Sequence, residues 1–298
     1  EMAFIEHRFG KTFFEKRGRK RASKAPLIFL HGGPGGHSRF LKDLFFLSDK
    51  RQVFIYDQIG GGRSTALSQK FWNIQTFVKE LDILVRAWEL EHFHLMGGSW
   101  AATLALEYFS RSRKSEQIKS LGFQSPMFSA KDWQEDANFL IKKMPKKEQK
   151  IIQYCHEIGA TDSKVYQDAV SSYYARHVCR NKSASKRMEK IKNEKGNLIY
   201  QHMWGASEFW ATGTLKDYDG VNKLQSIKIP TLFLCGEHDE ARPSTIKRYS
   251  ELAPISRFFE IKNASHAIMA ENSKLMTKKI RCFLKDVENE DFCRARRN

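Results

Sequence analysis

Gly97-Gly98-Ser99-Trp100-Ala101 places a serine among small residues, directly after the apolar run 92–96 and at the start of a helix-period segment, 101–110. A serine on so sharp a strand-to-helix turn is held strained with its hydroxyl projecting, and small neighbours at positions 97 and 101 avoid a clash with the adjacent backbone. The chemistry that suits is acyl transfer. The same pattern also describes a serine capping a helix between glycines, so the motif needs partners elsewhere in the chain. A hydroxyl is a poor nucleophile at its free pKa and requires a base, which in turn requires an orienting group.

In elbows of this kind the partners follow in the order Ser, acid, His. Asp239 lies four residues beyond the apolar run 231–235, within Gly236-Glu237-His238-Asp239-Glu240, and His266 lies just past the run 257–261, within Asn263-Ala264-Ser265-His266. Both fall in loops at the carboxyl ends of strands, where a parallel sheet places its sites. Glu237 and His238 compete for the roles of acid and base, although adjacent residues cannot easily both face Ser99. A second signal is Leu27-Ile28-Phe29-Leu30-His31-Gly32-Gly33-Pro34-Gly35-Gly36, a strand running into a glycine-rich turn. Such a turn can offer a backbone N–H to an oxyanion, paired with the N–H of the residue after the nucleophile, Trp100. The spacing Gly33-x-Gly35 with Asp57 after the next strand imitates a dinucleotide fingerprint. Ser38 in place of the third glycine, and Pro34, which removes an N–H from any phosphate cradle, count against that reading.

The elements that must position these residues are apolar runs at 25–30, 52–56, 92–96, 118–123, 231–235 and 257–261, read as buried strands. Helix-period stretches such as 74–89 and 101–110 alternate with them, which predicts a mostly parallel sheet flanked by helices, of the α/β class. From about 127 to 214 the alternation breaks. Charged, aromatic, helix-like segments at 131–143, 148–157, 163–179 and 183–194 predict a helical insertion, so that residues 1–126 and 215–298 form one core and 127–214 a helical cap.

The chain has 298 residues and a net charge of +17, which brings nucleic acid and anionic surfaces into consideration. The basic residues are spread along the chain. Clusters at the ends (Lys16, Arg17, Arg19, Lys20, Arg21; Arg294, Arg296, Arg297) come without a zinc finger, basic zipper or aromatic-interleaved basic motif, so no nucleic-acid partner is expected. Cys155, Cys179, Cys235, Cys282 and Cys293 are odd in number and share no C-x-x-C spacing, which argues against zinc and a disulfide framework and for a reducing, cytoplasmic setting. No signal-like or membrane-spanning apolar stretch is present, so a soluble, unprocessed protein without a membrane partner is expected. The sequence is compatible with a monomer and does not fix the oligomeric state.

With these motifs in place the chain resembles the proline iminopeptidases (prolyl aminopeptidases) of the α/β-hydrolase fold, including the tricorn-interacting aminopeptidase type. The resemblance is carried by His31-Gly32-Gly33-Pro34-Gly35, Asp57-Gln58-Ile59-Gly60-Gly61-Gly62-Arg63-Ser64, Gly97-Gly98-Ser99-Trp100, Gly205-Ala206-Ser207-Glu208-Phe209 and Gly236-Glu237-His238-Asp239-Glu240. It implies a catalytic triad of Ser99, Asp239 and His266, with oxyanion donors from the backbone of Gly33 and Trp100. Departures are Ile59 where the family usually has Arg, Ala101 for Gly, and Ala267-Ile268-Met269-Ala270 where related members carry bulkier residues.

The implied reaction is release of an N-terminal residue, preferably proline, from short peptides with a free N-terminus, with no metal or organic cofactor. An α-amine is largely cationic at neutral pH, and desolvating it requires carboxylates. The resemblance assigns that task to Glu208 and Glu240. Trp204, Phe209 and Trp210 around Glu208 suit either an apolar wall for a pyrrolidine ring or the cap's own core. Asp57, Gln58 and Arg63 are expected to be structural. The competing readings are an esterase or amidase using the same triad without reading an amine, and a catalytically silent binding protein on the same fold.

Overall fold

The strands Leu27–Leu30 (β3) and Val53–Tyr56 (β4) are buried along their whole length and send alternate side chains to opposite faces. Ile28, Leu30, Phe54 and Tyr56 join one apolar layer, whereas Leu27, Phe29, Val53 and Ile55 join another. This period of two on two covered faces explains why the runs read as continuous apolar stretches. The computed structural model describes residues 1–20, 22–191 and 193–289. Cys293 and the basic residues Arg21, Arg294, Arg296 and Arg297 lie outside them.

The sheet has eight strands in the order β1-β2-β4-β3-β5-β6-β7-β8, where β1 is Met2–His7, β2 Gly10–Arg17, β5 Phe93–Gly98, β6 Ile118–Gln124, β7 Thr231–Gly236 and β8 Ser256–Ile261. From β4 to β8 every pairing is parallel; β1 and β2 form an antiparallel hairpin that pairs with β4. Helices α1 (Ile74–Ala87), α2 (Trp100–Arg111) and α8 (Pro243–Leu252) cover the first layer, and α9 (Ile268–Glu288) with the short helical segment Ser38–Leu47 covers the second.

Between β6 and β7 the chain forms α3 (Ala130–Ile141), α4 (Lys146–Ile158), α5 (Lys164–His177), α6 (Lys182–Glu189) and α7 (Glu194–Met203). These inserted helices carry a core of their own, built on Ala137, Ile152, Tyr166, Tyr173 and Phe209. The helix expected over 183–194 ends at Glu189 as α6, and α7 begins at Glu194 and runs on to Met203. Gly196 in the first turn of α7 lies so close to the glycine-rich turn after β3 that a Cβ on it would stand 1.9 Å from the Gly35 carbonyl oxygen, and one on Gly35 would stand 2.1 Å from that of Gly196. Asn193 clamps this contact, donating to the Gly35 carbonyl (2.6 Å) and accepting from Gly62 N–H (3.1 Å).

Among the described residues no helix is long and apolar enough to cross a membrane. Cys155, Cys179 and Cys235 are buried and Cys282 exposed, all as free thiols.

Candidate active site

Strand β5 delivers Ser99 at its carboxyl end, and α2 begins with the next residue. Ser99 has φ 55° and ψ −122°, a left-handed conformation that side chains adopt only where the surroundings hold it. Its N–H donates to the Gln124 carbonyl at the end of β6 (2.8 Å) and its carbonyl accepts from Ala102 (3.0 Å). Gly97 is required by close packing, since a Cβ there would stand 2.3 Å from the Ala101 carbonyl. Ala101 itself is fully buried, so one methyl fits where the family pattern has glycine. The Trp100 N–H belongs to the first turn of α2, where helix geometry supplies no partner.

The loop after β7 holds Asp239, whose carboxylate is oriented from several directions. It accepts from Ser125 Oγ (2.5 Å), Gly236 N–H (3.0 Å), Ala241 N–H (2.9 Å) and His266 Nδ1 (2.9 Å). With the Asp239 carboxylate oxygen as acceptor, Nδ1 donates, and Nε2 takes no part in that bond. His266 and Ser99 line the same cavity, of about 280 Å³, together with Gly32, Gly33 and Glu208. The rivals face elsewhere. Glu237 accepts from Asn263 N–H and pairs with Lys262, while the half-exposed His238 lies 3.9 Å from Glu237.

Two glutamates flank this centre. Glu240 is buried, its Oε1 lies 3.9 Å from His266 Nε2, and neither of its carboxylate oxygens has a hydrogen-bond partner among the described residues. Glu208 lines the cavity and also a tight niche of about 10 Å³ beside Ser99, walled by Gly33, Trp133, Trp204 and Leu215. Its backbone is pinned by three aromatic side chains: its carbonyl accepts from the indoles of Trp133 (2.8 Å) and Trp204 (3.2 Å), and its N–H donates to the Tyr174 hydroxyl (3.0 Å). Burial raises the pKa of both glutamates, and for Glu240 the neighbouring Glu208 raises it further. Burial opposes a charge on His266 too, yet Asp239, then Glu240 and Glu208, overcome it and push the ring up to about 10. The acids and the imidazole therefore hold protons as one coupled cluster.

Of the aromatic wall considered around Glu208, only Trp204 faces the niche. Phe209 is fully buried in the core of the inserted helices, and Trp210 stacks on His156 with ring centres 3.7 Å apart. The second wall is Trp133 on α3, edge-on to both Trp204 and His266. In sequence Trp133 is one apolar position of an amphipathic helix, and nothing there marks it as facing Ser99. Glu271, at the start of α9, was equally hidden. Its Oε1 accepts from the N–H groups of Arg180 (2.5 Å) and Asn181 (3.0 Å) after α5, and its Oε2 from the N–H and hydroxyl of Ser265 (both 2.6 Å).

Asp57 and Arg63 brace the turn beside the glycine-rich loop after β3. Arg63 pairs with Asp57 (2.8 Å) and Glu15 (2.9 Å), and Asp57 also accepts from Ser38 N–H and Oγ (both 2.7 Å). Despite burial, these donors hold the Asp57 carboxyl well below the usual range. Gln58 joins two parts of the site: its amide donates to the His31 carbonyl (2.7 Å) and its oxygen accepts from the Trp100 indole (2.9 Å).

This arrangement is shared with known proteins. Residues 25–273 match the model of the alpha/beta hydrolase fold. A proline iminopeptidase of Heyndrickxia coagulans is 36% identical over 265 residues, 88% of this chain and 91% of the relative. The chain belongs to the proline iminopeptidase family. A further family member, from Lactobacillus delbrueckii subsp. lactis, is 32% identical over 84% of this chain and 87% of its own. The crystal structure of the Mycobacterium smegmatis proline iminopeptidase superposes with a TM-score of 0.86 at 27% identity, covering 98% of this chain and all of that one.

Proposed function

We propose that the chain is a serine aminopeptidase that releases N-terminal proline from short peptides through an acyl-enzyme, with Ser99, His266 and Asp239 as its triad. The observation that carries this reading is Glu240: a buried carboxylate without a hydrogen-bond partner, beside the catalytic histidine and in the field of Glu208. Burying a carboxylate unpaired is costly, and a substrate α-ammonium between the two glutamates would supply the missing charge and donors. Trp133 and Trp204 would flank a compact ring such as that of proline, the niche, now about 10 Å³ and no larger than one water, opening to admit it.

With the amine held there, the first carbonyl lies against Ser99. Ser99 Oγ attacks it, His266 Nε2 takes the hydroxyl proton, and the oxyanion is met by the backbone N–H groups of Gly33 and Trp100. His266 then gives the proton to the departing amine. Water, deprotonated by the same nitrogen, hydrolyses the prolyl-enzyme. Asp239 fixes the imidazole tautomer throughout. The substrate cation also tunes the base, because it compensates the carboxylates that raise His266 and so favours the neutral imidazole that catalysis needs.

Residues 127–214 act in this reading as a helical cap that restricts access to short chains. The free thiols suit a cytoplasmic setting. An esterase or amidase indifferent to amines would use the same triad, but a neutral substrate leaves both glutamates uncompensated. Hydrolysis of prolyl anilide tests the proposal. The wild-type enzyme should turn it over and Ser99→Ala should lose at least about 10⁴ in kcat; a wild-type enzyme that cleaves neutral esters but not this anilide would overturn it.

A further inference from the structure

The space around Ser99 is lopsided. Ser99 and Glu208 line both the tight niche and the 280 Å³ cavity, and the cavity extends between Phe40 and Leu41 of the Ser38–Leu47 segment, Val178 and Met188 of the inserted helices, and Ile268 and Met269 at the start of α9. A substrate whose amine is held at Glu208 and whose carbonyl lies against Ser99 has this larger, mostly apolar chamber for its leaving group. Bulkier residues at 267–270 would narrow it, and this chain has Ala267 and Ala270.

The chamber does not end in neutral solvent. Phe40, Met269 and Ala270 also line a second depression, of about 200 Å³, whose other walls include Arg39, Lys42, Arg187, Asp43 and Ser273. Three cations face one carboxylate there. Lys42 is partly committed to Glu15 (3.4 Å), and Arg187 donates to Ser183 Oγ on its own helix (3.0 Å). The cavity at Ser99 therefore adjoins, through the shared walls Phe40, Met269 and Ala270, a cationic depression that Glu208 does not line.

We propose that this far end reads a carboxylate, so that the preferred substrates are short peptides with an apolar second residue and a free C-terminus reaching Arg39 and Arg187. The inference rests on the aminopeptidase reading and adds to it a second charge reader of opposite sign. Together the two ends measure the peptide: the amine is fixed by Glu208 and Glu240, and an extended chain advances about 3.3–3.6 Å per residue toward the mouth. A chain of the right length places its carboxylate there; a longer one carries it past, and an amidated one offers no charge.

The test is kcat/KM for Pro-Phe, Pro-Phe-Gly and Pro-Phe-Gly-Gly, each as free acid and as C-terminal amide, in the wild-type enzyme and in Arg39→Gln/Arg187→Gln, with prolyl anilide as reference. Reading the ratio of acid to amide within each enzyme removes any general loss of activity or folding. The expected result is an acid preference of about 1.5- to fivefold at one peptide length, the range for a solvent-exposed ion pair, carried by KM, reduced by added salt and flattened in the double variant. Ratios near one at every length, with prolyl anilide still cleaved, would overturn the cationic mouth alone, as would an acid preference that survives the double substitution. Failure to cleave prolyl anilide would take the aminopeptidase reading and this one down together.

Discussion

Glu240 Oε1 lies 3.9 Å from His266 Nε2, while Asp239, the preceding residue, holds the opposite ring nitrogen at 2.9 Å. Consecutive residues thus grip one imidazole from both ends, one to orient it and the other to charge its surroundings. The consequence is a pH effect with a definite sign. His266 must be neutral to act as a base, and its pKa is raised to about 10 in part by Glu240. Glu240→Gln removes one of the carboxylates raising it, so the acid limb of kcat/KM for a neutral ester should move to lower pH. An unchanged limb would show that Glu240 does not act on His266.

Glu80 on α1 is a second buried carboxyl whose titration should be visible, this time in stability. It is fully buried beneath the turn after β4, accepting from Ile59 N–H (2.8 Å) and from Thr12 Oγ1, and burial pushes its pKa up from 4.5 to about 8 despite those donors. Between those values the folded chain keeps a proton that the unfolded chain has released, so stability falls as pH rises through this window. Glu80→Gln keeps an acceptor for Ile59 and removes the titration. Its Tm should exceed that of the wild type at pH 8.5 and approach it at pH 5, and a Tm difference independent of pH would contradict the assignment.

Gln58 is expected to matter through position rather than contact with substrate. Its side chain ties the His31 carbonyl, at the head of the oxyanion turn, to the indole of Trp100, whose N–H is the second proposed oxyanion donor. Gln58→Ala should lower kcat by roughly ten- to a hundredfold with little change in KM, the loss expected when donors move by a fraction of an ångström to about 1 Å. Gln58→Glu, which keeps the acceptor for Trp100, should recover part of that loss. Equal losses in both variants, or a change in KM alone, would contradict the positioning role.

Glu271 predicts a link between the inserted helices and catalysis. It binds backbone N–H groups at 180 and 181 with one oxygen and Ser265, the neighbour of His266, with the other. Glu271→Ala leaves these donors without their charged acceptor and should destabilise the protein by about 1–3 kcal/mol. Limited proteolysis should then cut first near 178–182. Unchanged proteolysis and stability would mean that the tie is not needed.

The candidate order Ser99, Asp239, His266 is legible because each residue sits where a parallel strand ends, and the strands β3 to β8 are apolar enough to stand out. The N-terminal hairpin β1–β2 was not legible. Its edge position gives β1 an alternating exposed and half-buried pattern in which Glu6, His7 and Lys11 mask the pairing of Phe4 with Phe13. The amphipathic α8 and α9 are equally faint in sequence, their apolar residues separated by lysines and arginines. In the site, Glu208 and Glu240 were reachable only through family resemblance, since their meaning lies in a proximity to His266 that spacing does not encode. Trp133 and Glu271 act from helices far along the chain, and Phe209 and Trp210, adjacent in sequence to Glu208, turn into a separate core. Nearness in sequence was a poor guide wherever the inserted helices were involved.

The central claim is that buried carboxylates read a substrate amine beside a serine triad. It is tested most directly by kcat/KM for prolyl anilide against its N-acetylated counterpart, in the wild-type enzyme and in Glu208→Gln. The account predicts a preference for the free amine of at least about thirtyfold in the wild type, corresponding to the 2–5 kcal/mol lost when one partner of a buried charge pair is removed, and a large reduction of that preference in the variant. Equal rates on the two anilides in the wild type would contradict it, leaving a serine hydrolase indifferent to its substrate's charge.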